Sequence, residues 1–275
     1  MKTVIQTMSM GAAAALLGLA VNAAHADQLD SIKSAGSLKC GVGSQYKPFS
    51  FVQDPKTRKF VGYDVDICEA VAAKLGVKPE LVFITGATRV TDLQSGRTDI
   101  ALANLTHTPE RAQLVDFSSN YFASDVKVMV PASSSIKSFA DLTGKRIAGI
   151  SGSNHEVKVP KVITGADLKV FPSPANAYLA LEQGKVESMV GDETTLIGLI
   201  GAQQGKWRIL DQPVDTQQIG IGVRKGEPRM LAAVNDTLAD LEKAGKGTQI
   251  FDQWFGKDSE LKMKRSFTFA PYKQL

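Results

Sequence analysis

The feature that most constrains this chain is an alternation of two hydrophobic rhythms. Short apolar runs at residues 38–42, 81–84, 100–103, 126–130, 146–150, 168–171, 188–190 and 219–223 are separated by stretches whose apolar residues recur at helical spacing. A strand that pairs parallel with its predecessor needs a long crossover, and a helix is the ordinary one. The pattern therefore predicts an α/β chain built on largely parallel sheets.

Several helices announce their ends. Asp64 is placed to cap a helix in which Ile67, Val71 and Leu75 share a face, and Gly76 supplies a left-handed exit. Thr108-Pro109 and Ser173-Pro174 are cap-plus-first-turn pairs. Asp192 can open a helix apolar at Leu196, Ile197, Leu199 and Ile200, and Met230, Leu231, Val234, Leu238 and Leu241 follow helical spacing up to Gly245. There is no repeat of fixed period, and residues 133–135 are the sole low-complexity stretch.

The N-terminus predicts export. Lys2 precedes an uncharged apolar stretch at residues 8–21, which closes on Ala24-His25-Ala26, a small-x-small cleavage pattern. The stretch is shorter than the ~20 residues a membrane span needs, and no Cys stands at the cut to take a lipid. Residues 1–26 are thus expected to be a cleaved signal, and 249 of the 275 residues remain, enough for two small domains. Losing Lys2 takes the formal net charge from +4 to +3. That mild, scattered excess argues against nucleic acid as a partner.

Cys40 lies in an extended run and Cys68 in a helical pattern. An oxidising compartment would permit a bridge, but spacing supplies no geometry, so two buried free thiols are the expectation. His107 and His155 are the only histidines after residue 26, and there is no Cys-x-x-Cys or His-Glu-x-x-His, so no metal site is expected. Gly245-Lys246-Gly247-Thr248 lacks the glycine spacing of a phosphate loop, and there is no Gly-x-Ser-x-Gly elbow. Neither cofactor nor catalytic residue is implied.

What the sequence does offer is charge readers at strand ends. From Ala103 to Arg111 the chain leaves a strand, turns and enters a helix whose N-terminal donors, with the Arg111 guanidinium, would form a carboxylate socket. Alternatively, Arg111 pairs with Glu110 or Asp116 on the surface. Ser151-Gly152-Ser153 joins another strand to a helical start, a frequent kind of turn. Asp192 follows a strand where it could accept from an ammonium group, or serve as a plain helix cap.

Six ordered segments, Tyr46-Lys47-Pro48-Phe49, Gly62-Tyr63-Asp64-Val65-Asp66-Ile67, Thr106-His107-Thr108-Pro109-Glu110-Arg111, Asp116-Phe117-Ser118, Asp141-Leu142-Thr143-Gly144-Lys145 and Ser151-Gly152-Ser153, give the chain a resemblance to the family 3 (polar amino acid) solute-binding proteins of ABC importers. The resemblance implies an α/β type II periplasmic-binding fold, two lobes joined by two crossing hinge strands. Lobe 1 would take residues 27–124 and 219–275, and lobe 2 residues 125–218. It implies a periplasmic monomer that binds an amino acid in the cleft and delivers it to an inner-membrane permease. Arg111 and Thr106, with Ser153 from the opposite lobe, would hold the α-carboxylate and Asp192 the α-ammonium. Tyr46 would lie against the ligand side chain, and Ser151 and Asn104 complete the candidate set, Asn104 standing where the family more usually has Gly.

Family members that bind basic side chains often carry an acid where this chain has Gly43, and acidic-ligand binders tend to have Arg there. A second Arg of the acidic-ligand group finds its match in Arg89. The resemblance therefore points to an acidic or polar uncharged amino acid. Two alternatives share the scaffold. One is a cyclohexadienyl dehydratase-like enzyme, for which Glu156 or His155 would be the acid-base group. The other is a free-standing amino-acid sensor.

Overall fold

The computed structural model describes residues 27–54, 56–201, 203 and 205–273. The expected signal segment 1–26 lies outside the described residues. Among these, the chain runs α1 (Gln28–Ala35), β1 (Ser37–Gly43), β2 (Phe51–Asp54), β3 (Lys59–Val61), α2 (Tyr63–Leu75), β4 (Lys78–Ile84), α3 (Arg89–Gln94), β5 (Ile100–Ala101), α4 (Pro109–Ala112) and β6 (Val115–Pro131). It continues through β7 (Arg146–Ile150), α5 (His155–Val162), β8 (Asp167–Phe171), α6 (Pro174–Glu182), β9 (Ser188–Asp192), α7 (Glu193–Ile200) and β10 (Trp207–Ile209). It then returns by β11 (Asp215–Arg224), α8 (Pro228–Lys243) and α9 (Lys246–Trp254). No helix among the described residues is long and apolar enough to cross a membrane.

The strands follow the order β4-β1-β5-β11-β6-β9-β7-β8, with β10 beside β6. Within each end of the sheet the pairs are parallel, β1 with β4 and β5, and β7 with β8 and β9. At the centre β6 and β11 lie antiparallel to each other and to their outer neighbours. β6 pairs with β11 from Val115 to Val126, and from Val126 to Met129 with β9. These two strands carry the chain out of lobe 1 and back.

Each lobe has its own core. In lobe 1, β1 and α2 pack with α8, α9 and the second half of β11, and Phe49 sits edge-on to Tyr63, Phe122 and Phe255, the nearest ring centroid at 4.9 Å. In lobe 2 the sheet is covered on both sides. Val126, Val128, Val130 and Ile147 face one layer, while Met129, Ala148 and Met189 face the other. This two-sided burial is why these strands read as short continuous apolar runs rather than as alternating ones.

Most helix ends follow the sequence signals. Thr108 and Ser173 accept from the backbone N–H groups of Arg111 and Asn176, and Gly76 exits α2 at φ 71°. Asp64 departs from expectation. The cap position belongs to Gly62, whose φ of 140° and closeness to the Phe49 carbonyl, 2.3 Å from where a Cβ would stand, admit only glycine. Asp64 falls one position into the helix, fully buried, and accepts from the Tyr121 hydroxyl at 2.8 Å. The hairpin β2–β3, the short β10 and the helices α1, α3 and α9 were not anticipated by the sequence reading.

The cysteine expectation is overturned. α2 packs on β1, bringing the Cys40 and Cys68 Cα atoms to 6.1 Å, and the two side chains form a disulfide inside the lobe-1 core. With the partners 28 positions apart, loop-closure entropy gives a stabilisation of about 3 to 4 kcal/mol. Urea unfolding with and without reductant is expected to show a loss of about that size, and a thiol reagent should label the native protein at neither cysteine.

Candidate functional site

The residues that follow β1, β4, β5, β7 and β9 converge on one place. In open α/β sheets ligands bind outside the carboxyl ends of the strands, because the loops there and the helix N-termini behind them face the same crevice. Here they line a single small cavity between the lobes. Lobe 1 contributes Tyr46, Gly86, Arg89, Asn104 and Thr106. Lobe 2 contributes Ile150, Ser153, His155, Pro174, Met189, Gly191, Asp192 and Thr195, and β11 adds Gln217.

Six of the eight expected site residues line this cavity: Tyr46, Arg89, Asn104, Thr106, Ser153 and Asp192. Arg111 does not. Helix α4 is a single turn, and from it the half-buried Arg111 side chain passes behind Thr106, donating to the carbonyls of Thr106 and Gly152, both at 2.9 Å. It pairs with neither Glu110 nor Asp116. Asp116 is held by Lys225 and the Gly226 N–H instead. Ser151 also lies outside the cavity lining, its carbonyl pressed against Gly86.

Arg89 is buried and reaches the same place from the other side. It donates to the carbonyls of Ala103 and Asn104 at 2.9 Å and to that of Gly152 at 3.2 Å. The Gly152 carbonyl of lobe 2 thus accepts from two guanidiniums of lobe 1. Only glycine allows this approach: a Cβ on Gly152 would stand 2.5 Å from Ala87, and one on Gly86 2.5 Å from the Ser151 carbonyl. Burial lowers both guanidinium pKa values, and the added repulsion from Arg89 leaves Arg111 at about 9.

The acidic pole lies opposite. Asp192 sits at the cap position of α7 but makes no capping bond. Its carboxylate instead accepts from the Asn104 amide at 2.7 Å across the interlobe boundary. Asn104 reaches it because Ala103 and Asn104 both adopt positive φ, 47° and 54°. That conformation costs a non-glycine residue about 1 to 2 kcal/mol and is tolerated where surrounding contacts over-determine it. Burial pushes the Asp192 carboxyl up to about 6, against the lowering by Asn104 and Arg89.

Several buried polar atoms on this cavity have no partner among the described residues: Arg89 Nε, Asn104 Oδ1, His155 Nδ1, Asp192 Oδ1 and Thr195 Oγ1. Each such atom costs about 1 to 3 kcal/mol when left unmade, so their clustering marks a binding site. His155, buried beside both arginines, is pushed down to about 3 and stays neutral, while Glu156 turns away to accept from the Gly152 N–H at 2.7 Å. His155 thus lines the cavity and Glu156 does not. His155, named from the sequence only as an acid-base group of the alternative enzyme, lines the cavity, and so does Gln217, whose side chain accepts from the Thr106 hydroxyl at 2.6 Å. Gln217 has no local motif, and only the return of the chain along β11 brings it in.

Asp192 also sets a pH dependence. Its folded pKa lies above the ordinary aspartate value of 3.8, so the ligand-free native state binds more protons than the unfolded chain between about pH 4 and 6. The stability it contributes is present at low pH and lost as pH rises through that window. Above it, the ionised carboxylate costs on the order of 1 to 3 kcal/mol. Asp192→Asn is therefore expected to unfold at a higher temperature than wild type at pH 7.5, with the gap closing by about pH 4 in thermal melts.

With this geometry described, comparison with known proteins gives a consistent result. The chain is 28% identical over 255 residues to the L-cystine-binding protein TcyJ of Escherichia coli, covering 91% of this chain and 95% of that one. Among solved structures, the cysteine-binding protein from Campylobacter jejuni superposes with a TM-score of 0.79 at 27% identity, covering 84% of this chain and 96% of that one. An ancestral arginine-binding protein bound to arginine gives 0.75 at 34% identity, covering 80% and 99%. The sequence model of the bacterial extracellular solute-binding proteins, family 3, matches residues 38–257. A chain with this fold, this cleft and a match over most of its length belongs to that family, as an amino-acid solute-binding protein of the ABC-transporter type.

Proposed function

We propose that this protein is the periplasmic substrate-binding component of an amino-acid ABC importer, taking a polar or acidic L-amino acid between its lobes and handing it to an inner-membrane permease without chemical change. The observation that carries the reading is the separation of charge across the cleft. Two guanidiniums lie on lobe 1 and one buried carboxylate on lobe 2, with unpartnered donors and acceptors between them. A zwitterion is complementary to that arrangement.

In this reading Arg111 and Thr106, assisted by Ser153 and its preceding turn at Ser151, hold the α-carboxylate. Arg111 has five N–H donors and uses two directions on carbonyls, so it can engage a carboxylate entering beside Thr106. Asp192 receives the α-ammonium, with Asn104 orienting it. Tyr46 packs against the ligand side chain. Its ring lies over Gly43, 2.3 Å from where a Cβ on that residue would stand, so no charged side chain at position 43 contributes to recognition. Arg89 gives the cavity a second positive pole, which favours an acidic or polar side chain over a basic one. The relatives named for cystine and cysteine are compatible with a polar ligand.

Lobe 1 comprises residues 27–124 and 219–275 and lobe 2 residues 125–218, following cleavage of a signal at residues 1–26, and the chain acts as a monomer. A ligand that touches both poles makes contacts in the closed state that it cannot complete in the open one, so binding shifts the lobe equilibrium toward closure.

A thermal-shift panel of the twenty amino acids with cystine is expected to reveal a raised melting temperature for one or a few polar or acidic members, since a ligand that binds only the native state stabilises it by mass action. No shift with any of them would sink the reading. For the amino acid so found, Arg111→Ala should cost about 2 to 5 kcal/mol in affinity by calorimetry, because it leaves the carboxylate without its charge partner. Unchanged affinity would remove Arg111 from the site.

A further inference from the structure

The matched family region ends at residue 257, and the chain beyond it follows a defined path. Arg265 is rooted on Glu242 of α8 at 2.6 Å, with its own side chain 8% exposed. Its guanidinium lies over the rings of Phe267 and Phe269, at 5.0 and 4.7 Å. Phe267 packs against Phe122 and Phe251, and the Phe269 N–H donates to Glu242. Up to residue 269, then, the segment is part of the lobe-1 core.

From residue 270 it leaves the core and crosses both connecting strands. The Asn120 N–H of β6 donates to the Ala270 carbonyl at 2.7 Å. Gln218 of β11 exchanges two hydrogen bonds with the Lys273 backbone, accepting from its N–H at 3.2 Å and donating to its carbonyl, and Gln218 accepts from the Asn120 side chain as well. The Tyr272 ring lies against that of His107, tilted by 39° with centroids 3.7 Å apart, and His107 stacks on Phe117 at 4.4 Å and 9°. Burial lowers the pKa of His107, so its imidazole is neutral at neutral pH.

The stretch being clasped is the one that walls the amino-acid cavity. The His107 N–H donates to the Gln218 carbonyl at 2.9 Å, Thr106 bridges to Ile219, and the Gly220 N–H donates to Leu105. Successive residues of extended chain point to opposite sides. Thr106 and Gln217 therefore face the cavity, where they bond to each other at 2.6 Å, while His107 and Gln218 face away and are gripped from behind.

We infer that residues 270–273 form a strap in which Tyr272 acts as a positioning residue, holding His107 and Gln218 so that Thr106 and Gln217 keep their places in the wall of the ligand cavity. The inference rests on the reading of that cavity as an amino-acid site. One aromatic stack is worth about 3- to 10-fold in an equilibrium constant, and effects of that size are expected. The test compares wild type with Tyr272→Ala, Tyr272→Phe and a chain ending at Phe269, which keeps the Arg265–Phe269 anchor.

Hydrogen exchange in the ligand-free proteins should be about 3- to 10-fold faster at His107 and Gly220 in Tyr272→Ala and in the shortened chain, with Tyr272→Phe matching wild type. Titration with L-glutamate, L-glutamine and L-cystine should show the same ordering in affinity for whichever of them wild type binds. Unchanged exchange at those amides in the shortened chain overturns the inference, as does wild-type affinity in that chain. Faster exchange, with no thermal shift of wild type by any of the twenty amino acids or cystine, would support the strap and count against the amino-acid reading.

Discussion

The structure is organised around ionic groups brought to a place where water no longer solvates them. Two guanidiniums of lobe 1 meet the Gly152 carbonyl of lobe 2, and the Asp192 carboxylate of lobe 2 meets the Asn104 amide of lobe 1. None of these is a direct ion pair, so the desolvation of each charge is only partly offset by the bonds it makes here. The depressed arginines and the raised aspartate express that imbalance. An ion that carried both signs would relieve both poles together, which is the physical basis of the proposal that recognition of a zwitterion and closure are coupled.

Such a site is unstable on its own terms, and the rest of the fold supports it. The Ala103–Asn104 corner sits in the left-handed region, and several buried polar atoms lack partners. Against this stand two separate hydrophobic cores and a disulfide joining β1 to α2 in lobe 1. The strain of the site lies in the loop at the carboxyl end of β5, where Ala103 and Asn104 stand outside the strand ladder and can be shaped without disturbing the sheet. Placing function there and stability in the layers below lets the site carry a charge arrangement that no packed core would tolerate.

Much of this was legible beforehand because it rests on local rules. The short apolar runs became strands, Thr108 and Ser173 capped their helices, and Gly76 ended its own. Tyr46, Arg89, Asn104, Thr106, Ser153 and Asp192 all reached one cavity, since each follows a strand whose carboxyl end faces the crevice. The misses have physical reasons as well. Asp64 looks like a cap from its type and position, but the carbonyl of Phe49 leaves room only for Gly62 there, and the carboxylate turns inward to Tyr121. Arg111 is a different case: its one-turn helix takes the guanidinium to the Thr106 and Gly152 carbonyls, beside the cavity rather than in its lining.

The sequence by itself determined the alternation of strands and helices, most helix ends, and the identity of the charged residues at strand ends, because these depend on side-chain periodicity and backbone preferences within a few residues. The tertiary structure alone decided the Cys40–Cys68 bridge, the convergence of Arg89 and Arg111 on Gly152, and the entry of Gln217 and His155 into the cavity. Those contacts join residues from 28 to 111 positions apart. The bridge exists because α2 packs on β1, and the others because β6 and β11 carry the chain across and back; distances between such residues follow from the packing of whole elements rather than from any local preference.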